Sequence, residues 1–172
     1  MLAIFDVEGV LLDAEFLPIL AEKINKQDEI WEITRKGIEG TIKWEEGLRK
    51  RIEILRGIDY ETCKQVADSL KVMTGAREAC YALKAAGWKI MAVSGGFTIM
   101  TDRLKEELGL DHVFSNELTF KNDKLDGVVI HVDSDKAKSA MIKVKEWKEK
   151  AVPIFTKDRS ANCCLPPFLP GM

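Results

Sequence analysis

The spacing of apolar positions changes along the chain and divides it into stretches of different character. Leu2-Ala3-Ile4-Phe5 is a short continuous apolar run that ends at Asp6, which is typical of a buried parallel strand leading into a functional loop. From residue 14 to residue 70, apolar residues recur at helical spacing, and Gly37, Gly40, Gly47 and Gly57 punctuate them. This stretch therefore predicts a small bundle of helices.

From residue 76 onward the pattern predicts helices that alternate with strands. The predicted helices span 76–86, 97–108 and 137–150, and the predicted strands span 88–93 and 113–115, followed by a hairpin of 117–120 with 128–132. A last strand near 152–155 contains Pro153, which would place it at a sheet edge. Because such alternation builds a parallel sheet covered on both faces, we predict an α/β fold. Its Rossmann-like sheet is flanked by helices, with 1–13 and 72–172 as the core and 14–71 as an inserted helical-bundle cap.

Composition narrows the classes of protein. The chain has 172 residues, 46% of them apolar, and its 26 Lys+Arg and 28 Asp+Glu give a net charge of −2. That balance argues against nucleic-acid binding through bulk charge. No apolar run approaches the roughly 18–20 residues of a membrane span, and the N-terminus lacks a basic leader, so a cytoplasmic protein is expected. The four cysteines form no CxxC pair, which disfavours a zinc site or a disulfide framework.

The strongest local signal is a pair of acids at the end of the first predicted strand. Asp6 and Glu8 are two residues apart, so their side chains point the same way along an extended chain. Two neighbouring carboxyl groups can divide labour, one as the nucleophile and the other as the group that gives and takes a proton. Gly9 permits the turn that follows. The alternative is that both acids only cap a loop.

Two further signals favour an anion site. Ser94-Gly95-Gly96 lies between a predicted strand and a predicted helix, where backbone N–H groups and the serine hydroxyl can bind an anion. Lys138 lies near the start of a predicted helix, an electrostatically unfavourable place unless an anion offsets its charge. Alternatively, the first is a mere tight turn and the second a solvated lysine.

Together these motifs resemble the haloacid dehalogenase-like phosphatases, and within them the phosphoserine phosphatase branch of archaeal type. Asp6-Val7-Glu8-Gly9-Val10 is similar to the first family motif, Val93-Ser94-Gly95-Gly96-Phe97 to the second, and Lys138 to the third. The resemblance covers residues 2 to about 150. It implies a phosphomonoester hydrolase, most simply one that converts phosphoserine and water to serine and phosphate.

The resemblance also implies roles for individual residues. Asp6 would attack phosphorus to form an aspartyl-phosphate, and Glu8 would serve as the acid and base. Ser94, Gly95 and Lys138 would bind the phosphate. Mg²⁺ would be held by Asp6, the backbone carbonyl of Glu8 and Asp158. In the cap, the substrate-binding residues would be Glu15 for the ammonium group, Arg51 for the carboxylate, and Ile38 and Trp44 over the substrate backbone.

The sequence departs from the family pattern in two places. Glu8 stands where the family usually has aspartate, and the fourth motif, Gly-Asp-x-x-x-Asp, is replaced by Lys157-Asp158-Arg159-Ser160-Ala161-Asn162. The proline-rich stretch after Cys163 predicts an irregular tail and looks truncated or read out of frame. These departures leave open an impaired enzyme, a non-catalytic relative that binds a ligand or partner, and a phosphatase or phosphotransferase for another small phosphomonoester. An uncovered sheet edge would favour a homodimer.

Overall fold

The computed structural model describes residues 1–147 and, as backbone, residues 151–154. Five strands form one sheet in the order β4-β3-β2-β1-β5. The strands are β1 (Leu2–Phe5), β2 (Lys89–Phe97), β3 (His112–Lys121), β4 (Lys124–Val129) and β5 (Ala151–Ile154). The helices are α1 (Phe16–Glu22), α2 (Gln27–Ile38), α3 (Trp44–Leu55), α4 (Tyr60–Ser69), α5 (Ala76–Ala85), α6 (Thr98–Glu107) and α7 (Lys136–Trp147).

The sheet is mostly parallel, which confirms the predicted fold class. β1 pairs in parallel with β2 and β5, β2 pairs in parallel with β3, and β4 is antiparallel to β3. Leu2, Ala3 and Ile4 of β1 are fully buried, as the apolar run predicts. Since Phe5 is in register with Ala92, the residues that follow β1 lie beside the last residues of β2. The Asp6–Glu8 and Ser94–Gly96 motifs therefore meet at the carboxyl ends of the parallel strands, and we call this end of the sheet the sheet edge.

Helices α1–α4 lie between β1 and α5 in the chain, and we call them the helical insert. The segments that enter and leave the insert run side by side: the Asp13 N–H donates to the Lys71 carbonyl, and the Met73 N–H donates to the Leu11 carbonyl, both at 2.9 Å. Insert and sheet share a hydrophobic cluster, in which the rings of Phe16 and Phe97 meet edge to face at 5.8 Å. The insert is thus packed directly onto the sheet layer.

The predicted hairpin exists, but its second strand was placed wrongly. β4 begins at Lys124 and ends at Val129, whereas the pattern predicts 128–132. The reason is a two-residue turn at Asn122 and Asp123, both with positive φ (50° and 60°), which lets the chain reverse early. The polar stretch 121–127 suggests a long loop, yet Leu125 within it is buried.

The hairpin contacts the helical insert, and we call this contact the hairpin dock. The Gly57 N–H donates to the Leu125 carbonyl at 2.8 Å, and the Leu125 N–H donates to the Ile58 carbonyl at 2.7 Å. Nearby, Arg56 pairs with Asp126 at 2.5 Å, and the ring of Tyr60 packs edge to face on Phe120 at 5.1 Å. The insert is therefore fastened to the sheet on the side where α3 leads into α4.

Four smaller points remain. Of the described strands, β5 lies at the end of the sheet opposite β4, as Pro153 predicts. β2 continues beyond residue 93 to Phe97, so Ser94, Gly95 and Gly96 belong to an extended segment. In the described part of the chain no helix is both long and apolar enough to cross a membrane. Asp158 and the proline-rich tail lie outside the described residues.

Candidate functional site

Asp6 lies directly after β1 and is 1% exposed. Its Oδ1 accepts a hydrogen bond from the Val7 N–H at 2.8 Å. The Lys136 ammonium group lies 2.7 Å from both Asp6 oxygens. A buried carboxylate needs a compensating charge, and Lys136 supplies it. The pairing places a negative oxygen and a positive nitrogen side by side at the edge of the sheet.

Ser94 is fully buried beside Asp6's strand, near the end of β2. Its Oγ accepts a hydrogen bond from the Gly96 N–H at 2.9 Å. Because one lone pair of the hydroxyl takes this bond, the hydroxyl proton is left for a different acceptor. A Cβ at Gly96 would collide with Met100 and lie 2.9 Å from Glu8 Oε2. Gly96 therefore lets the Glu8 carboxylate approach the backbone closely.

Glu8 is 8% exposed and lies at the same sheet edge as Asp6. Its Oε1 accepts the N–H of Phe16, the first residue of α1, at 2.8 Å. Glu8 thus satisfies one of the N–H groups that a helix start leaves unpaired, as the loop-capping alternative predicts. The extra methylene that distinguishes glutamate from aspartate gives it this reach. Its second oxygen faces the Ser94–Gly96 segment, so capping and chemistry can share one side chain.

A cavity of about 260 Å³ separates the helical insert from this sheet edge. Trp44, at the start of α3, reaches across to the sheet: a Cβ on Gly95 would lie 3.0 Å from its indole ring and 3.4 Å from Lys136 Cε. The cavity wall includes most of the residues that the resemblance selects, namely Glu8, Glu15, Ile38, Trp44, Arg51 and Gly95. The volume suits a small ligand rather than a large cofactor.

Arg51 of α3 also lines this cavity. Its Nε donates to the Gly47 carbonyl and its Nη1 to the Thr34 hydroxyl, each at 3.2 Å. Burial lowers the pKa of Arg51, while the negative charges of Glu8 and Glu15 act in the opposite direction. An arginine stays protonated in such surroundings. The insert thus presents a fixed positive charge together with the Glu15 carboxylate.

The structure places Lys136, and not the predicted Lys138, against Asp6. Lys138 is exposed, and its backbone N–H donates to Asp135 at 2.8 Å. Helix α7 begins at Lys136. The side chains of residues two apart on a helix are rotated by about 200° about its axis, so they point to nearly opposite sides. Only one of the two lysines can face the sheet edge, and the position of the helix start selects Lys136.

Two residues of the site were missed by the sequence argument. Thr34 lines the cavity and contacts Arg51. Asn116, fully buried in β3, donates to the Gly95 carbonyl at 2.9 Å and accepts the His131 and Val132 N–H groups at 2.7 and 2.8 Å. It joins the Ser94–Gly96 segment to the chain that leads to Lys136. Because β3 contains several other polar residues, no local pattern singles out Asn116.

Carboxylate oxygens such as those of Asp6 are ligands that a hard divalent cation such as Mg²⁺ prefers. The resemblance implies the backbone carbonyl of residue 8 and Asp158 as further ligands. Among the side chains that the structure describes, no group of three His, Cys, Asp or Glu residues could hold a metal ion. The remaining predicted ligand, Asp158, lies outside the described residues, so the donor set here is a partial one.

The site combines acids at a strand end, a serine followed by two glycines, a half-buried lysine and a helical insert. The model of the haloacid dehalogenase-like hydrolases matches residues 1–149, and the chain belongs to this family. A phosphoserine phosphatase of Archaeoglobus fulgidus is 40% identical over 126 residues, which are 73% of this chain and 37% of the relative. One of Wolinella succinogenes is 38% identical over 128 residues, which are 74% of this chain and 62% of the relative.

Solved structures of phosphoserine phosphatases are also similar to this chain. A phospho-aspartyl intermediate analogue of phosphoserine phosphatase superposes with a TM-score of 0.82 at 31% identity, over 90% of this chain and 77% of the other. A substrate-bound phosphoserine phosphatase complex also has a TM-score of 0.82, at 29% identity, over 90% and 76% of the two chains. The chain spans less than two thirds of the length of the two curated relatives named above.

Proposed function

We propose that the protein is a phosphoserine phosphatase that works through an aspartyl-phosphate on Asp6. The observation that carries this proposal is the lining of the cavity. Lys136, which lies 2.7 Å from Asp6, lines the cavity together with Arg51 and Glu15. A small molecule that carries both a phosphate and an amino-acid group complements these charges. The names of the curated relatives and of the superposed structures support the same substrate.

In the proposed reaction an Asp6 oxygen attacks phosphorus, and the bond from phosphorus to the serine oxygen breaks. Glu8 donates its proton to the departing serine oxygen. A water molecule then attacks the phosphorus of the aspartyl-phosphate while Glu8 takes one of its protons. The bond from phosphorus to Asp6 breaks, which regenerates the carboxylate and releases phosphate. Lys136 and the Ser94 hydroxyl offset the negative charge on the phosphate oxygens.

At the other end of the substrate, Arg51 would pair with the carboxylate and Glu15 with the ammonium group. Arginine suits a carboxylate because two of its N–H groups can bond both oxygens. Trp44 would cover the substrate from the side of the insert, since its indole already reaches Gly95. Ile38, which is 81% exposed at the rim, would lose contact with water when substrate enters.

We further propose Mg²⁺ as the cofactor, held by the Asp6 carboxylate, the Glu8 carbonyl and Asp158. When bound, it offsets phosphate charge and orients the phosphate for attack. The division into a core (1–13 and 72–172) and a cap (14–71), the cytoplasmic location and the homodimer stay predictions. Light scattering of the purified chain measures the last of these.

The test is phosphate release by the full chain, with and without Mg²⁺, from three substrates. L-phosphoserine carries both amino-acid groups, O-phosphoethanolamine lacks the carboxylate, and p-nitrophenyl phosphate lacks both. The proposal expects Mg²⁺-dependent release with the highest kcat/KM on L-phosphoserine. Equal kcat/KM on all three would favour a phosphatase for another phosphomonoester. Calorimetric binding of phosphoserine without any turnover would favour the non-catalytic alternative.

A further inference from the structure

We propose that Thr34 is a positioning residue, which holds the Arg51 guanidinium ready for the substrate carboxylate and so contributes to selectivity for an amino-acid substrate. The inference rests on the proposed function, because it concerns recognition of the amino-acid group in the same cavity. Thr34 lies in α2 and Arg51 in α3, and they are 17 residues apart in the sequence.

The direction of the hydrogen bonds at Thr34 is defined by its partners. Its Oγ1 donates to the Ile30 carbonyl, one turn earlier in α2, at 2.8 Å. A hydroxyl has one proton, and the Ile30 carbonyl takes it, so the oxygen lone pairs are left for a donor. The Arg51 Nη1 supplies that donor at 3.2 Å. Thr34 therefore acts toward Arg51 only as an acceptor.

The second anchor of Arg51 is the Gly47 carbonyl, one turn earlier in α3, which accepts from Nε at 3.2 Å. With one bond to its own helix and one to the neighbouring helix, the plane of the guanidinium is fixed at two points. Fixing it before substrate binds removes part of the ordering entropy that a free arginine would lose at that moment. Loss of the Thr34 bond would leave the arginine charge in place but less well aimed.

The same bond bears on the position of α2. Ile30 is the single fully buried residue of this helix, so the Thr34–Arg51 hydrogen bond adds a polar contact to the packing of α2 against α3. The Thr34–Arg51 hydrogen bond joins the middle of α2 to α3 and so fixes the cavity wall beside the guanidinium. Thr34 is thus placed to affect substrate recognition without touching the phosphate.

The experiment compares Thr34→Val, Thr34→Ser and Thr41→Val. Valine keeps the shape of threonine and removes the hydroxyl, while serine keeps the hydroxyl. Thr41 is a matched control, because its hydroxyl also donates to a helix carbonyl, that of Lys36 at 3.0 Å, and it is exposed. KM and kcat are measured on L-phosphoserine and on O-phosphoethanolamine, and far-ultraviolet circular dichroism checks the fold of each variant.

Thr34→Val is expected to raise KM for L-phosphoserine by roughly 3–10-fold, the effect of one ordinary hydrogen bond, because Thr34 acts on the substrate only through Arg51; kcat should be unchanged. KM for O-phosphoethanolamine should not move, and Thr34→Ser and Thr41→Val should match the parent. Equal effects of Thr34→Val on both substrates, or none on either, would overturn the inference. If Thr34→Val does not fold, Thr34→Ala removes the same hydroxyl and is judged by the same criteria.

Arg51→Ala separates this inference from the proposed function. If Arg51→Ala does not change the preference for L-phosphoserine over O-phosphoethanolamine, the assignment of Arg51 to the carboxylate is wrong, and the inference about Thr34 fails with it. If Arg51→Ala removes the preference while Thr34→Val leaves it intact, the proposed function stands and only the inference fails.

Discussion

The residues proposed to bind the phosphate, which we call the phosphate end, and those proposed to bind the amino-acid group, which we call the amino-acid end, are built in different ways. At the phosphate end, Asp6 directly follows β1 and Ser94 lies within β2; both are at most 1% exposed, and backbone N–H groups bond to both. At the amino-acid end, Arg51 and Thr34 lie on helices and are joined by side-chain bonds of 3.2 Å. The reacting atoms are thus held by backbone hydrogen bonds at the sheet, whereas the residues that recognise the amino-acid group are held by side-chain hydrogen bonds between helices.

Asp6→Asn is expected to have the largest effect, because it removes the nucleophile from the phosphate end. Phosphate release should fall by on the order of 10⁵-fold, while the circular dichroism spectrum stays that of the parent. The measurement is steady-state release of phosphate from L-phosphoserine. A rate of phosphate release near that of the parent would show that Asp6 is not the nucleophile. The comparison of the phosphate end with the amino-acid end would then lose its basis.

Glu8→Gln separates proton transfer from helix capping. The amide oxygen of glutamine can still accept from the Phe16 N–H, so the start of α1 is preserved, but the proton is lost. We expect kcat to fall by roughly 10²–10⁴-fold, and to fall more for L-phosphoserine than for p-nitrophenyl phosphate, whose leaving group needs little protonation. An unchanged kcat on both substrates would assign Glu8 to capping alone.

Lys136→Met and Lys138→Met test which lysine belongs to the phosphate end. The Lys136 ammonium contacts Asp6, so its removal should lower kcat/KM by about 10²-fold. Lys138 is exposed, and its removal should change kcat/KM less than twofold. Both variants lose one positive charge from the same helix, which makes them matched controls. The reverse order of effects would restore the assignment made from the sequence.

Arg51→Ala is expected to act on the amino-acid end only. KM for L-phosphoserine should rise by roughly tenfold to a hundredfold, which is the range of a charge-assisted hydrogen bond. KM for p-nitrophenyl phosphate should stay near that of the parent, because this substrate has no carboxylate. A similar rise on both substrates would mean that Arg51 supports the cavity as a whole.

Asp59→Ala is expected to have the smallest effect and to concern stability alone. The Asp59 carboxylate accepts the Thr62 N–H at the start of α4 at 2.8 Å, and this hydrogen bond is the main cause that lowers the pKa of Asp59 from its ordinary value. A lowered folded-state pKa stabilises above the unfolded value and loses this contribution as the pH falls through the folded value. The Tm of Asp59→Ala should lie slightly below that of the parent at pH 7.

The pH dependence of this difference is the check on its origin. Differential scanning calorimetry at decreasing pH should show the two Tm values converge toward the acid range, while kcat at pH 7 is the same for both proteins. A Tm difference that does not change with pH would mean that the side chain stabilises α4 by packing rather than through its charge.

Local sequence patterns predict residues at strand ends, but they do not predict contacts that depend on helix packing or on helix boundaries. A buried strand followed by Asp6 is a local pattern, and parallel strands bring their ends together by rule. The contact of Thr34 with Arg51 depends instead on how α2 packs against α3, which no local pattern encodes. The difference between Lys136 and Lys138 depends on where α7 begins, and helix boundaries are the least predictable feature of a sequence.

The early turn at Asn122 and Asp123 brings the hairpin back to the insert. The hairpin dock that results affects the order in which the parts of the protein fold. Arg56 and Asp126 are 70 residues apart, so the insert cannot complete this contact until the chain has been synthesised well beyond its own helices. Bringing such distant segments together slows folding. The hairpin dock and the shared hydrophobic cluster both join the insert to the sheet. Neither the insert nor the sheet can therefore reach its final packing without the other. Cap and core should therefore fold and unfold as one cooperative unit.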